Sequence, residues 1–426
     1  MPAAERGLWR PYTQEGLKRP AVSVERASGP FLYTREGQRL LDGVSSWWVI
    51  THGHCEPAIV EAVRSQAERV DQVLFANFSH AAAEDLVDQL LSVVHPHLSR
   101  VFLSDNGSTA VEVALKIAVQ CQSHRGNKKR TKFLAFSHAY HGDTVGSMSV
   151  SARGLFTAPF GKMTFDVLRA EQPKSSKAEC ADWTAGFQRI WEEHHEEIAG
   201  VILEPLLQGA AGMVMWPVDA VREIAECTRD SGALLIFDEV LTGFGRTGTL
   251  FAYEQIKICP DLLCLSKGLT GGMLPLGATL ASHEVFAAFQ SREKEKMFFH
   301  GHSFTGNPLA CAAAAANLRL CRDPEFLQRI SNIERIHRER LALVARQNGI
   351  DDPRVQGPVA AFELPGGTQG YSSGQAEAIT ARAMELGLFL RPLGDTIYLM
   401  PPYSSEGADL HAAWDAIQII LQETKY

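Results

Sequence analysis

Residues 233–272 read ALLIFDEVLTGFGRTGTLFAYEQIKICPDLLCLSKGLTGG. Two short apolar runs stand in this stretch, residues 233–238 and 262–266, and both are nearly continuous in apolar side chains rather than alternating. Alternation marks a strand with one wet face, whereas short continuous runs fit strands covered on both faces. Each run ends on polar residues, Asp238 and Glu239 after the first, Ser266 and Lys267 after the second, and a glycine-rich turn follows Lys267.

Runs of the same kind recur outward from this stretch at 101–104, 133–137, 200–204 and 278–281. Helical patterns lie between them; within 108–120, Val111, Ala114, Leu115 and Ala118 form one apolar stripe. Strands alternating with helices predict an α/β unit around a mostly parallel sheet. Past residue 306 the pattern changes. Asn307 followed by Pro308 is a side-chain cap with proline at the first helical position, and the alanine-rich helix it opens runs to about Leu320. A helix over 325–347 and short strands at 359–364, 388–391 and 396–400 follow. This predicts a large domain over 56–306 and a smaller α+β domain, 307–426, joined by the amino-terminal arm, 1–55. Polar stretches at 171–179 and 365–375 read as surface loops.

The chain of 426 residues is 45% hydrophobic and 21% charged, with a formal net charge of -8. An acidic balance without a basic run interleaved with aromatics argues against nucleic acid as a partner. The opening residues hold no apolar stretch like a signal peptide, and no uncharged apolar run approaches the roughly 20 residues of a membrane helix. Eight scattered cysteines without a CxxC pair read as reduced thiols of a cytoplasmic protein.

Ligands of open parallel sheets bind beyond the carboxyl ends of the strands. There the chain places Asp105-Asn106-Gly107-Ser108, the HAYHGD loop of residues 138–143, Glu204, Asp238-Glu239 and Ser266-Lys267. A lysine at the end of a buried strand is desolvated, which lowers its pKa and makes it an imine-forming nucleophile; the plain alternative for Lys267 is a solvated loop residue. Asp238 can charge-pair with a protonated ring nitrogen, or act as a cap or metal ligand. Glu239 is either the functional acid or a brace for its loop. Gly107 and Ser108 open a helix whose free N–H groups suit a phosphate, although a serine N-cap would look the same. Tyr140 can stack on a planar ring. His138 and His141 lie in no metal-binding spacing, so no metal is expected and a structural role is favoured for both. The stretch from Gly243 to Gly248 matches GxGxxG, but a poor amphipathic helix follows it, against a dinucleotide fold.

Taken in order, DNGSTAVEVALKIA, FSHAYHGDT, VILEP, LLIFDEVLTGFGRTG, LCLSKGLTGG and HGHSFTGNPLACAAA resemble the subgroup III aminotransferases of fold type I over essentially the whole chain. The resemblance implies pyridoxal 5'-phosphate as cofactor, carried by Lys267 as a Schiff base. It further implies Asp238 as partner of the pyridine nitrogen, Gly107 and Ser108 as the phosphate loop, and Tyr140 as the stacking aromatic. It also implies small-molecule substrates and a homodimer in which the partner's loop of residues 301–303 completes the site.

WRPYTQ, DGVSSWWVITHGH and LRPLGDTIYLMPPY are similar to one branch of that family, whose members pass an amino group to 8-amino-7-oxononanoate in biotin synthesis. By this similarity Tyr12, Trp47, Tyr140, Lys267 and Gly301 line the substrate pocket and Arg391 binds a substrate carboxylate, a role suited to a bidentate guanidinium. Where that branch commonly has Gly-Pro-Thr, the chain has Gly301-His302-Ser303. Ser303 keeps a hydroxyl for the cofactor phosphate beside His302, but GHS also resembles relatives that take the amino group from lysine. Trp47-Trp48 favours adenosylmethionine, because an indole face receives a sulfonium cation; core packing is the plain alternative for one of the pair. Another ω-aminotransferase, acting with pyruvate, and a catalytically silent protein on the same fold are the remaining alternatives.

Overall fold

The structure is a computed structural model that describes residues 7–14, 16, 21–175, 177–365 and 375–423. At its centre is a seven-stranded sheet in the order Leu98–Ser104, Gly277–Ser282, Leu262–Leu265, Leu234–Asp238, Ile198–Leu203, Lys132–Phe136 and Leu168–Ala170. The four pairings from Leu262–Leu265 to Leu168–Ala170 are parallel. Gly277–Ser282 is antiparallel to both of its neighbours, so the sheet is mixed but mostly parallel. Every residue of the three strands Ile198–Leu203, Leu234–Asp238 and Leu262–Leu265 is buried, which is why their sequences do not alternate. Six strands fall within a few residues of the expected runs. The seventh, Leu168–Ala170, went unexpected because it is three residues long with Arg169 at its middle, too short for a periodic signal.

Helix Gly107–His124 lies across the sheet and buries Ala110, Val111, Val113, Ala114, Leu115, Ile117, Ala118 and Cys121, a wider face than the four-residue stripe suggested. Asn106 caps it, accepting from Thr109 N–H at 3.0 Å, while the Thr109 hydroxyl accepts from Asn106 N–H at 3.1 Å. Asn307 caps helix Pro308–Cys321 in the expected way, accepting from Ala310 N–H at 3.0 Å. The alanines of that helix let it pack closely on Pro57–Ala67 and Ala81–Val93.

A second core gathers Leu341, Val344, Phe362, Ile397, Trp414 and Ile417. It forms between helices Phe326–Asn348 and Gly407–Glu423 and an antiparallel sheet of Asp351–Gln356, Val359–Glu363 and Thr396–Leu399. The strand expected over 388–391 ends at Phe389, just before Pro392, which has no N–H for a ladder. Strand Arg39–Asp42 runs parallel to Leu388–Phe389, tying the amino-terminal strands to the far end of the chain. Residues 171–175 and 177–179 form a connection that leads into the cap Glu179 of helix Cys180–His194. Of the polar stretch 365–375, residues 366–374 lie outside the described residues. Among the described residues no helix is long and apolar enough to cross a membrane.

Candidate active site

A cavity of about 430 Å³ opens at the carboxyl ends of the central strands. Gly107 and Ser108, Tyr140, Asp238 and Lys267 all line it, so the residues singled out one at a time from strand ends share one wall. Lys267 opens a short turn, Lys267–Thr270, between a strand buried on both faces and the hairpin leading to the antiparallel strand. Its φ is +40°, a left-handed conformation that a non-glycine residue adopts only under constraint. Burial pushes its amine down from 10.5 to about 8, against the opposing pull of the Asp238 and Glu204 carboxylates. The ammonium position lies 4.7 Å from the centre of the Trp48 ring.

Asp238 is buried at the end of its strand. Its carboxylate accepts from Val240 N–H at 3.0 Å and from His141 Nδ1 at 2.7 Å. Among the described residues the opposite nitrogen, His141 Nε2, is buried without a hydrogen-bond partner. His141 thus serves Asp238 rather than a metal, in keeping with a structural role. Glu204 accepts from Tyr140 N–H at 2.9 Å, and burial raises its carboxyl to about 7. Tyr140 has its phenol pKa raised by burial, then by Asp143 and Tyr12. Glu239 turns away from this group: it accepts from Ala252 N–H at 2.6 Å and Tyr253 N–H at 3.0 Å and braces the loop it begins. That loop, the GxGxxG match, runs in turns to the four-residue helix Tyr253–Ile256, too short for a dinucleotide fold's phosphate helix. Gly243 and Gly245 answer to packing, since a Cβ would fall 2.9 Å from Glu239 O at the first and 2.4 Å from Ile330 Cδ1 at the second.

At the helix start the cap occupies Thr109 N–H and Ala110 N–H, which leaves the Gly107 and Ser108 amides directed out of the helix into the cavity. Asn106, not Ser108, is the cap, so the alternative reading of Ser108 as a simple N-cap does not hold. Close approach requires the glycines here. A Cβ on Gly107 would lie 2.7 Å from Val240 Cγ1, and one on Gly142 (φ +123°) would lie 2.0 Å from Ser108 Oγ. Among the described residues neither amide has a hydrogen-bond partner, and a helix start of this kind is a site for an anion such as a phosphate.

Beside the cavity, Tyr12 donates to Asp143 at 2.6 Å and packs edge-on against Trp47 and Phe156. The Arg391 guanidinium lies over Trp47, 4.3 Å from its ring centre. Tyr12, Trp47 and Arg391, which lie far apart in sequence, therefore meet beside the cavity, although none of them is in its lining.

Comparison with known proteins matches residues 12–421 to the aminotransferase class-III family. The chain belongs to the class-III aminotransferases. It is 43% identical to the adenosylmethionine-8-amino-7-oxononanoate aminotransferase of Synechococcus elongatus, over 98% of each chain. The enzyme of the same name from Geobacter sulfurreducens is 36% identical over 97% of this chain and 95% of its own. Among solved structures, the adenosylmethionine-8-amino-7-oxononanoate aminotransferase of Methanocaldococcus jannaschii superposes with a TM-score of 0.93 at 33% identity, over 99% of this chain and 98% of that one. A pyridoxal-phosphate-bound amine transaminase from an uncultivated Pseudomonas species gives 0.92 at 28% identity, over 98% of both chains. The architecture is accordingly the α/β fold type I of this family.

For a class-III aminotransferase, the remaining expected residues sit apart. Gly301, His302 and Ser303 are absent from the cavity lining. Their loop packs on the segment before helix Ala81–Val93, with Gln72 Nε2 donating to Ser303 O at 3.1 Å. Trp48 and Glu204 reach the cavity although no catalytic role was read for them. Core packing is the alternative for one of the Trp47-Trp48 pair, and Trp48 is buried, with its indole N–H donating to Tyr398 Oη at 2.9 Å; yet its ring face also forms a wall. Positive φ at Ser45, Ser46 and Trp48 aims it there, and local strain of this kind leaves no mark on sequence periodicity. Position places Glu204 at the strand ends, as it does Asp238, but the sequence around it suggests no role. The indoles do not decide the amino donor, because Trp47 and Trp48 each already face a cation of the chain itself.

Proposed function

We propose that this chain transfers an amino group from S-adenosylmethionine to 8-amino-7-oxononanoate, giving 7,8-diaminononanoate, in two half-reactions that share one cavity. The observation that carries the reading is the convergence of Lys267, Asp238, Tyr140 and the bare helix start at Gly107 on that cavity, with the Trp47–Arg391 pair beside it. The names of the relatives support the choice of acceptor and donor. The residues present fit pyridoxal phosphate. Gly107 and Ser108 would hold the phosphate, Tyr140 the ring face, Asp238 the ring nitrogen and Lys267 the carbonyl carbon.

Once bound, pyridoxal phosphate supplies an electrophilic carbon and a ring that takes up a carbanion's electron pair. Lys267, with its amine pushed down to about 8, is about one-tenth neutral at pH 7, far more than an ordinary lysine. Its nitrogen would take the proton from the carbon bearing the donor's amino group and pass it to the cofactor's former carbonyl carbon, and in the second half-reaction it would move a proton the opposite way, to the acceptor's ketone carbon. Asp238, oriented by His141 Nδ1 and Val240 N–H, holds its carboxylate toward the ring nitrogen. Arg391 orients the acceptor's carboxylate, and Tyr12, fixed by Asp143, closes the substrate side.

The working form is a cytoplasmic homodimer in which residues 301–303 complete the partner's site, Ser303 and His302 toward the phosphate and Gly301 toward the substrate. Exposed Leu74, Phe78, Phe299 and Phe304 around that loop support a covered face, and eight free thiols support a reducing compartment.

The test measures 7,8-diaminononanoate formed from 8-amino-7-oxononanoate with S-adenosylmethionine, lysine or an ω-amino acid as donor. S-Adenosylmethionine should be the best donor, and Lys267→Ala should abolish turnover. Full activity in that variant, or turnover with lysine alone, overturns the assignment. Mixing Lys267→Ala with a Ser303→Ala variant that is inactive by itself should restore activity through mixed dimers; no recovery rejects the donated loop.

A further inference from the structure

Helix Pro308–Cys321 is almost featureless, a run of small side chains, yet Asn317 stands within it with no solvent exposure. A buried amide is costly unless each of its groups is bonded. Asn317 satisfies all of them, bonding to two segments whose neighbouring residues, Trp48 and Lys267, line the cavity. Nδ2 donates to Gly268 O at 2.9 Å and to Leu269 O at 3.1 Å, the two carbonyls that follow Lys267. Oδ1 accepts from the Thr51 hydroxyl at 3.2 Å, and Thr51 lies on the segment that carries Trp48. One side chain therefore ties the turn of Lys267 to the segment that carries Trp48, whose ring lies 4.7 Å from the Lys267 amine.

The turn itself needs such a tie. Lys267 is held at φ +40° and Gly271 at +65°, and a Cβ on Gly271 would come within 3.0 Å of Asn317 Oδ1. A non-glycine residue keeps a left-handed backbone only when its surroundings impose it. Within the turn, Gly271 N–H bonds to Gly268 O at 3.0 Å and the Thr270 hydroxyl to Leu274 O at 2.6 Å. Among the described residues, Asn317 is the one side-chain donor from outside the turn to the Gly268 and Leu269 carbonyls.

We propose that Asn317 is a positioning residue for Lys267, holding its turn so that the amine stays against the Trp48 face. The proposal rests on Lys267 being the reacting amine. Releasing the turn lets the amine swing toward water, which raises its pKa toward the ordinary 10.5. The charged groups that act on the amine, Asp238, Glu204 and Arg246, stay in place in the variant.

The experiment compares wild type with Asn317→Leu, which keeps the volume and removes both donors, and with Thr51→Val, which cuts only the Trp48 side. Cofactor-free protein is labelled with an amine-reactive reagent across pH 7–11, and labelling of the Lys267 peptide is read by mass spectrometry. Steady-state kinetics are measured on the holoenzyme. In Asn317→Leu the labelling midpoint should rise by about one pH unit or more. Its kcat should fall about 10- to 100-fold, the scale of a misplacement of about 1 Å, with KM for the donor little changed. Thr51→Val should shift both in the same direction by less, and it keeps the test alive if Asn317→Leu does not fold. A lower Tm with an unchanged labelling midpoint and kcat, in whichever variants fold, overturns the proposal. If Lys267→Ala retains turnover, the functional reading fails instead, so the two failures are distinguishable.

Discussion

Replacing Gly142 by alanine should uncouple the cofactor loop from the helix that holds its phosphate. At φ +123° the new Cβ would lie 2.0 Å from Ser108 Oγ, 2.7 Å from Ser108 Cβ and 2.9 Å from Ser108 Cα. The hydroxyl can rotate away, but the Cα cannot, so the loop must retreat by about 1 Å to reach ordinary contact near 3.5–4.0 Å. Ser108 Oγ then loses the Asp143 N–H that it accepts at 3.1 Å. Backbone strain costs about 1–3 kcal/mol and overpacking a similar amount. Hydrogen bonds to a charged phosphate are worth about 1.5–3 kcal/mol each. Misaligning one of them weakens cofactor binding about 10- to 100-fold at 1.4 kcal/mol per tenfold. Gly126→Ala is the control: it also has positive φ, +83°, but nothing lies within 4 Å of its Cβ. It should lower stability by about 1 kcal/mol and leave cofactor affinity unchanged. Titration of cofactor-free protein with pyridoxal phosphate, followed by absorbance, reads the affinity, and thermal melts read stability. Wild-type affinity in Gly142→Ala, or equal weakening in Gly126→Ala, would refute the steric argument.

Two further outcomes follow from buried groups away from the reacting centre. Burial lowers the imidazole pKa of His337 to about 3 and that of His52 to about 4, from 6.5; the unfolded chain therefore binds protons that the native state refuses, and stability is lost as pH falls below about 6.5. Each histidine contributes up to about 1.4 kcal/mol per pH unit to that slope. His337→Gln, which keeps an acceptor for Trp414 Nε1, should flatten urea-measured stability between pH 6 and 4, and an unchanged slope contradicts the assignment. Glu239→Gln places an amide N–H₂ among the donors Ala252 N–H and Tyr253 N–H and should cost about 1–3 kcal/mol in denaturant unfolding, with kcat falling far less than in Lys267→Ala. A loss of turnover as deep as that variant's would instead make Glu239 part of the chemistry.

The sheet was legible in the sequence because strands buried on both faces must be continuously apolar, as in residues 234–238 and 262–265. Lys267, Asp238 and Gly107 were legible for a related reason: they end or follow such runs, and strand ends in this architecture converge. What stayed hidden acts across the chain rather than along it. His141 reaches Asp238, Trp48 reaches Lys267, and Asn317 reaches the Lys267 turn, and in each case the neighbouring sequence does not name the partner. Leu168–Ala170 was hidden by its brevity, and the direction of Gly277–Ser282 by the fact that an antiparallel strand buried on both faces reads like a parallel one.

That reversed strand has a consequence for how the protein is made. Leu98–Ser104 pairs with Gly277–Ser282, so a ribosome must emit well over half of the chain before this strand finds its neighbour. Until then a strand edge and the buried side of helix Gly107–His124 stand open, the kind of surface on which nascent chains aggregate. Arg39–Asp42 waits longer still, for Leu388–Phe389. The cofactor cavity cannot exist until Lys267 and the strand after it have emerged, so pyridoxal phosphate cannot template the early steps. Synthesis in the cell should depend on chaperones holding the first half of the chain, and a message truncated before residue 388 should yield insoluble protein rather than a smaller enzyme.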